Sequence, residues 1–274
     1  MSHEPNLAVR GLDALHIDEQ GAGRPLVLLH GWGLHSGVWD EVAAELARRY
    51  RVLRVDLPGH GRSAPLPGDY TLAQLADTVR AALRPRLQEE AAVWVGWSLG
   101  GLVALQTTLT APELAAALVL VACTPRFTAT RNWPHAIAGE VLRGFAAELK
   151  HDYRATLLRF LALQARGGEH ARDDVRRLRE RLFACGGPDP AALRVGLAIL
   201  EDTDLRERMH ELALPTALIG GERDTLVPSG ALHAIADVLP RSTLAIVAGA
   251  GHAPFVSHRD VFMTELLNFL DAAS

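Results

Sequence analysis

Six short apolar runs recur along the 274-residue chain: "PLVLLHG" (25–31), "RVLRVDLPG" (51–59), "AAVWVG" (91–96), "AALVLVAC" (116–123), "PTALIGG" (215–221) and "STLAIVAG" (242–249). A strand with one face in water alternates apolar and polar residues. Most of these runs do not alternate, so they predict strands covered on both faces. Between them the period changes. Trp39, Val42, Ala43, Leu46, Ala47 and Tyr50 recur at helical spacing and form one stripe. Phe262, Leu266, Phe269 and Leu270 do the same near the C-terminus. Alternating strands and helices predict an α/β fold, with a mostly parallel central sheet flanked by helices. Residues 7–20 are expected to add an antiparallel hairpin.

The rhythm stops between Pro125 and about Leu205, where the pattern is helical and no strand is convincing. The expected organisation is a core of residues 1–124 and 206–274, with a helical cap, 125–205, inserted between two strands. Charge changes at the same place. Residues 126–194 hold 13 Lys and Arg against 8 Asp and Glu, a balance of +5; the remainder holds 15 against 24, or −9. A basic cap on an acidic body suits an acidic partner arriving from the cap side. A solvated helical surface would carry the same charges.

Composition narrows the class. Apolar residues make up 49%, enough for a large core. The net charge of −4 argues against a nucleic-acid partner. No apolar run approaches the ~20 residues of a membrane span, and the first residues lack the layout of a signal peptide. Cys123 and Cys185 are the only cysteines, so no disulfide framework is expected. These points predict a cytoplasmic protein that works without a membrane. A monomer is the expectation.

The chemistry centres on "VGWSLGG" (95–101). Gly96 and Gly100 bracket Ser98, after an apolar strand and before "GGLVALQTTLT", which suits a helix. A serine on so sharp a strand-to-helix turn needs neighbours without side chains, and this is the nucleophile-elbow signature. A serine hydroxyl needs a base, and the base needs an orienting acid. The chain order Ser, acid, His selects Asp224 in "GGERDTLVP" and His252 in "VAGAGHAPF". Both follow strands, where carboxyl ends make a crevice. Glu222 is a weaker acid candidate. Asp56 precedes the serine and reads as a loop stabiliser. The backbone N–H groups of Leu99, after the nucleophile, and of Trp32, in "LLHGWG", are the expected oxyanion donors. His30 and His60 read as structural, and Cys123 as a small core residue. Metal, phosphate-loop and dinucleotide motifs do not occur, and no metal or organic cofactor is expected.

Taken together, "HGWG", "DLPGHGRS", "GWSLGG", "GERDTLVP" and "GHAPF" resemble the α/β-hydrolase superfamily. Within it, "HGWGLHSGVWD", "WVGWSLGGLVALQ" and the cap stretch "RFLALQARGGEHARDDVRRLR" closely resemble the esterases of biotin synthesis, over nearly the whole chain. The resemblance implies hydrolysis of the methyl ester of pimeloyl-acyl-carrier protein, with that carrier as partner. It implies a triad of Ser98, Asp224 and His252. It also implies substrate contacts at Trp32, Ser98, Leu99 and His252, and at Phe160, Leu161, Ala162, Leu163 and Gln164 in the cap. Arg159, Arg172 and Arg176 match cap arginines that meet the carrier. A further arginine of that family is replaced here by Ala155, beside Arg154.

The residues themselves support part of this. Arg172, Arg176 and Arg179 can share a helix face. Phe145, Leu157, Phe160 and Leu161 could wall an apolar slot for a methylene chain, at roughly 0.8 kcal/mol per buried CH₂. A general short-chain carboxylesterase or lactonase, a lyase with the same triad, or a non-catalytic receptor would fit the same scaffold.

Overall fold

The computed structural model describes residues 15–273. In chain order its elements are β1 (Ile17–Gln20), β2 (Pro25–Leu29), α1 (Asp40–Leu46), β3 (Arg51–Val55), α2 (Leu72–Leu87), β4 (Ala92–Trp97), α3 (Leu99–Thr110), β5 (Ala115–Val121), α4 (Gly139–Leu149), α5 (Tyr153–Ala165), α6 (Ala171–Leu182), α7 (Pro190–Asp202), β6 (Thr216–Gly221), α8 (Ser229–Ala236), β7 (Ser242–Val247), α9 (Pro254–Ser257) and α10 (Arg259–Ala272). All six apolar runs become strands. β2, β4 and β6 are buried along their whole length, as their lack of alternation requires.

The strands form one sheet in the order β1-β3-β2-β4-β5-β6-β7. β1 pairs antiparallel with β3, and the other neighbours are parallel. The expected hairpin over 7–20 is therefore described only in part. Its second half is β1, whose partner is β3, and residues 7–14 lie outside the described residues. The expected stripe from Trp39 to Tyr50 is present, but the helix ends early. Ala47 and Tyr50 donate N–H bonds of 2.9 Å to Ala43 and Leu46, turning the chain into β3 at Arg51.

Strand order reverses between β2 and β4, because β3 lies on one side of β2 and every later strand on the other. In open parallel sheets this reversal opens a crevice at the carboxyl ends of the strands. The loop after β2 and the turn after β4 meet there. Helices α4 to α7 all fall between β5 and β6. They reach the same end of the sheet: the N–H of Asp189, before α7, donates to Gly59 O at 2.7 Å, and the N–H of Glu169, between α5 and α6, donates to Gly249 O at 2.9 Å.

Candidate active site

β4 ends at Trp97 and α3 begins at Leu99, so Ser98 alone makes the turn. Its φ of 54° and ψ of −117° are values that residues with a side chain rarely hold. Backbone bonds hold it there. The Ser98 N–H donates to Val121 O at 3.0 Å, and Ser98 O accepts from Gly101 and Leu102 at 2.9 and 3.1 Å. The bracketing glycines are needed for close approach. A Cβ on Gly96 would stand 2.3 Å from Gly100 O, and one on Gly100 would stand 2.5 Å from both Leu29 O and His30 O. The turn thus packs backbone against backbone, at the strand reversal. The first amides of α3 lack intrahelical acceptors and favour negative charge at this end.

Asp224 follows β6 and uses both carboxylate oxygens. Oδ1 accepts from the N–H groups of Leu226 and Val227 at 2.8 and 3.0 Å, and Oδ2 lies 2.7 Å from His252 Nδ1. The carboxylate therefore places the imidazole proton on Nδ1 and leaves a lone pair on Nε2. That Nε2 atom is buried and has no hydrogen-bond partner among the described residues. The loop of His252 is held on two sides. Its N–H donates to Gln164 O of α5 at 3.0 Å, and its carbonyl accepts from the Trp97 indole at 2.8 Å. Trp97 precedes Ser98, so one side chain ties the turn after β4 to the loop after β7.

The other acids and the cysteine sit apart from this pairing. Glu222 Oε2 accepts from the Gly249 N–H at 2.9 Å and braces the loop before His252. Asp56 is buried and accepts from the N–H groups of Ser36 and Arg62 at 2.7 and 2.9 Å. Burial works against its ionisation, but the neighbouring His30 first and then these donors keep its carboxyl below the usual range. Burial pushes the Cys123 thiol up.

The loop after β2 brings Trp32 beside Leu99. A Cβ on Gly196 of α7 would stand 2.6 Å from Trp32 Cδ1 and 3.4 Å from Leu99 Cδ2. The Trp32 indole donates to Leu193 O at 2.8 Å, and its ring lies 4.6 Å from that of Phe160. Phe145 meets Phe160 edge to face at 5.2 Å, and Leu157 lies against Gly33. Of the five consecutive cap residues named from the sequence, Phe160, Leu161 and Gln164 are buried, whereas Leu163 is half-buried and Ala162 is exposed. A helix turns about 100° per residue, so five in a row cannot share one face. Ala162 therefore stands on the exposed side of α5. Gln164 is unusual: both polar atoms of its buried amide lack a partner among the described residues.

Leu193, Gly196 and the Trp97 indole were not foreseen from the sequence. The first two lie on α7, Leu193 being 161 residues from Trp32, and no local period records such a contact.

The three cap arginines are exposed. Arg159 pairs with Glu148 at 2.5 Å and Arg176 with Asp173 at 2.9 Å. Arg172 and Arg176 stand one turn apart on α6. Ala155 lies in the first turn of α5, and the Arg154 guanidinium lies 5.3 Å from the Phe183 ring.

Residues 24–259 match the family model of the alpha/beta hydrolase fold. The chain belongs to the α/β-hydrolase family. Among relatives, it is 46% identical over 260 residues to a pimeloyl-[acyl-carrier protein] methyl ester esterase of Xanthomonas axonopodis pv. citri, covering 93% of this chain and 98% of that one. It is 40% identical to the protein of the same name from Aliivibrio salmonicida, over 94% and 96% of the two chains. Among solved structures, an esterase of Exiguobacterium antarcticum superposes with a TM-score of 0.85 at 21% identity, covering 94% of this chain and 95% of that one. That last likeness speaks for the hydrolase fold alone. No helix among the described residues is long and apolar enough to cross a membrane.

Proposed function

We propose that this α/β-hydrolase is a serine carboxylesterase that hydrolyses the methyl ester of pimeloyl-acyl-carrier protein, freeing the carboxylate and methanol for biotin synthesis in the cytoplasm. The observation that carries the reading is identity of 40 to 46% to esterases of that name across more than nine-tenths of the chain, cap included.

Ser98 attacks the ester carbonyl while His252 Nε2 takes its proton. The Asp224 carboxylate fixes the tautomer and stabilises the imidazolium that forms. The N–H groups of Trp32 and Leu99 hold the oxyanion. Protonated His252 then gives its proton to the departing methoxide, and water attacks the acyl-enzyme by the same route in reverse. Phe160, Leu161 and Gln164 of the cap (125–205) face the acyl chain. The partnerless Gln164 amide supports this, because a buried amide left unpaired costs about 1–3 kcal/mol. Arg159, Arg172 and Arg176 steer the acidic carrier to the cap, and docking there keeps the carrier thioester away from Ser98.

Growth rescue tests the reading. The gene should restore growth without biotin to a strain that lacks its own esterase of this step, and the Ser98→Ala version should not. Failure of the wild-type gene, expressed and folded, would refute the substrate assignment.

A further inference from the structure

Among the buried histidines outside the triad, His30 and His60 send hydrogen bonds to the peptide groups on either side of the residue proposed as oxyanion donor. His30 ends the run into the loop after β2, and His60 belongs to the loop after β3. Their rings are 5.3 Å apart, and their exposures are 0% and 2%. His30 Nδ1 lies 2.8 Å from Gly31 O, and His30 Nε2 accepts from the Leu57 N–H at 2.9 Å. His60 Nδ1 lies 3.0 Å from Pro58 O, and His60 Nε2 accepts from the Gly33 N–H at 3.3 Å. A carbonyl can only accept, so each Nδ1 carries the proton. A backbone N–H can only donate, so each Nε2 carries a lone pair. Both rings are therefore neutral and in one tautomer. Burial holds both below the ordinary histidine range, His30 at about 3.

These bonds fall on either side of Trp32. Gly31 O belongs to the peptide group whose N–H is that of Trp32. In a trans peptide the two point in opposite directions. A donor holding the carbonyl on one side thus aims the Trp32 N–H to the other. The Gly33 N–H belongs to the next peptide group, which His60 holds. Gly33 itself has a φ of +78°, a value glycine adopts freely, so its own backbone does little to resist rotation.

We propose that His30 and His60 are positioning residues for the oxyanion donor, fixing the two peptide groups that flank Trp32 so that its N–H faces the reacting carbonyl. The loops after β2 and β3 thereby clasp each other through one histidine apiece. This inference rests on the reading of Ser98 as nucleophile and Trp32 as oxyanion donor.

The test compares His30→Leu with His30→Asn. Leucine fills the space and offers no donor. Asparagine places an amide N–H near the position of Nδ1 and can still hold Gly31 O. On a p-nitrophenyl ester, His30→Leu should lower kcat by about 100-fold, the order seen when an oxyanion donor is lost. KM should stay within threefold, because ground-state binding does not use the bond. His30→Asn should recover at least tenfold of the loss. Equal activity of the two variants, or a kcat for folded His30→Leu within threefold of wild type, would overturn the proposal. A second measurement needs no variant. Nitrogen-15 spectra of the wild-type histidines at pH 8 should show His30 and His60 neutral with the proton on Nδ1. A proton on Nε2 of either ring would overturn it equally. If Ser98→Ala keeps wild-type turnover, the underlying reading fails instead, and the two failures are told apart.

Discussion

Replacing Asp224 by asparagine should leave the fold intact and disable His252 through its tautomer. An asparagine amide has one acceptor atom and one donor atom, whereas Asp224 accepts with both oxygens. Oδ1 serves the N–H groups of Leu226 and Val227 at 2.8 and 3.0 Å. Turning the NH₂ towards them would leave two buried donors unpaired, at about 1–3 kcal/mol each. The amide oxygen therefore stays with Leu226 and Val227, and the NH₂ faces His252 Nδ1, which accepts from Oδ2's position at 2.7 Å only as a lone pair. The imidazole proton moves to Nε2, where it blocks transfer from Ser98. A triad held in the wrong tautomer loses about 10⁴ in kcat, or about 5.5 kcal/mol of transition-state stabilisation. The assay is kcat on p-nitrophenyl butyrate, with a melting curve and a nitrogen-15 spectrum of His252 on the same sample. Turnover within tenfold of wild type by a folded variant would refute the reasoning, as would a spectrum that still shows the proton on Nδ1.

Two further outcomes test the surroundings of the proposed triad. Changing Arg159, Arg172 and Arg176 together to Glu should raise KM for the carrier-linked ester, and added salt should do the same to wild type. The value of kcat/KM for a small p-nitrophenyl ester should stay within about threefold, because exposed charges are screened over roughly 8 Å at physiological ionic strength; a fall in both activities would assign the arginines to cap structure. Gly196→Val should push its Cβ into the Trp32 indole, which stands 2.6 Å from that position, and lower kcat/KM for every ester about fivefold or more, the lower end of an overpacking cost of about 1–3 kcal/mol felt at the site; wild-type kinetics would show that Trp32 can move without consequence.

The sheet was legible because strands buried on both faces cannot alternate: β2, β4 and β6 are buried throughout, and the other three apolar runs became strands as well. The elbow was legible because glycine at positions 96 and 100 answers a backbone contact within the same turn. Asp224 and His252 were legible from order and from the loops that follow their strands. Other features were not, because they join residues far apart in the chain. The Trp97 indole reaches the His252 carbonyl across 155 residues, and the Trp32 indole reaches Leu193 across 161. Ala162 shows the opposite limit. A resemblance names a stretch, whereas a helix turns some members of that stretch outwards. His30 and His60 read as structural because their partners are backbone groups, which a sequence does not mark.

The central claim is that this chain cleaves a methyl ester at the far end of a carrier-linked acyl chain while leaving the thioester whole. The direct measurement is the intact mass of pimeloyl-acyl-carrier protein methyl ester after incubation with purified enzyme, beside Ser98→Ala. The account predicts that wild type removes the mass of one methylene group and keeps the acyl chain on the carrier, and that Ser98→Ala leaves the mass unchanged. Release of the bare carrier, or an unchanged mass with a wild-type enzyme that still hydrolyses p-nitrophenyl esters, would contradict it.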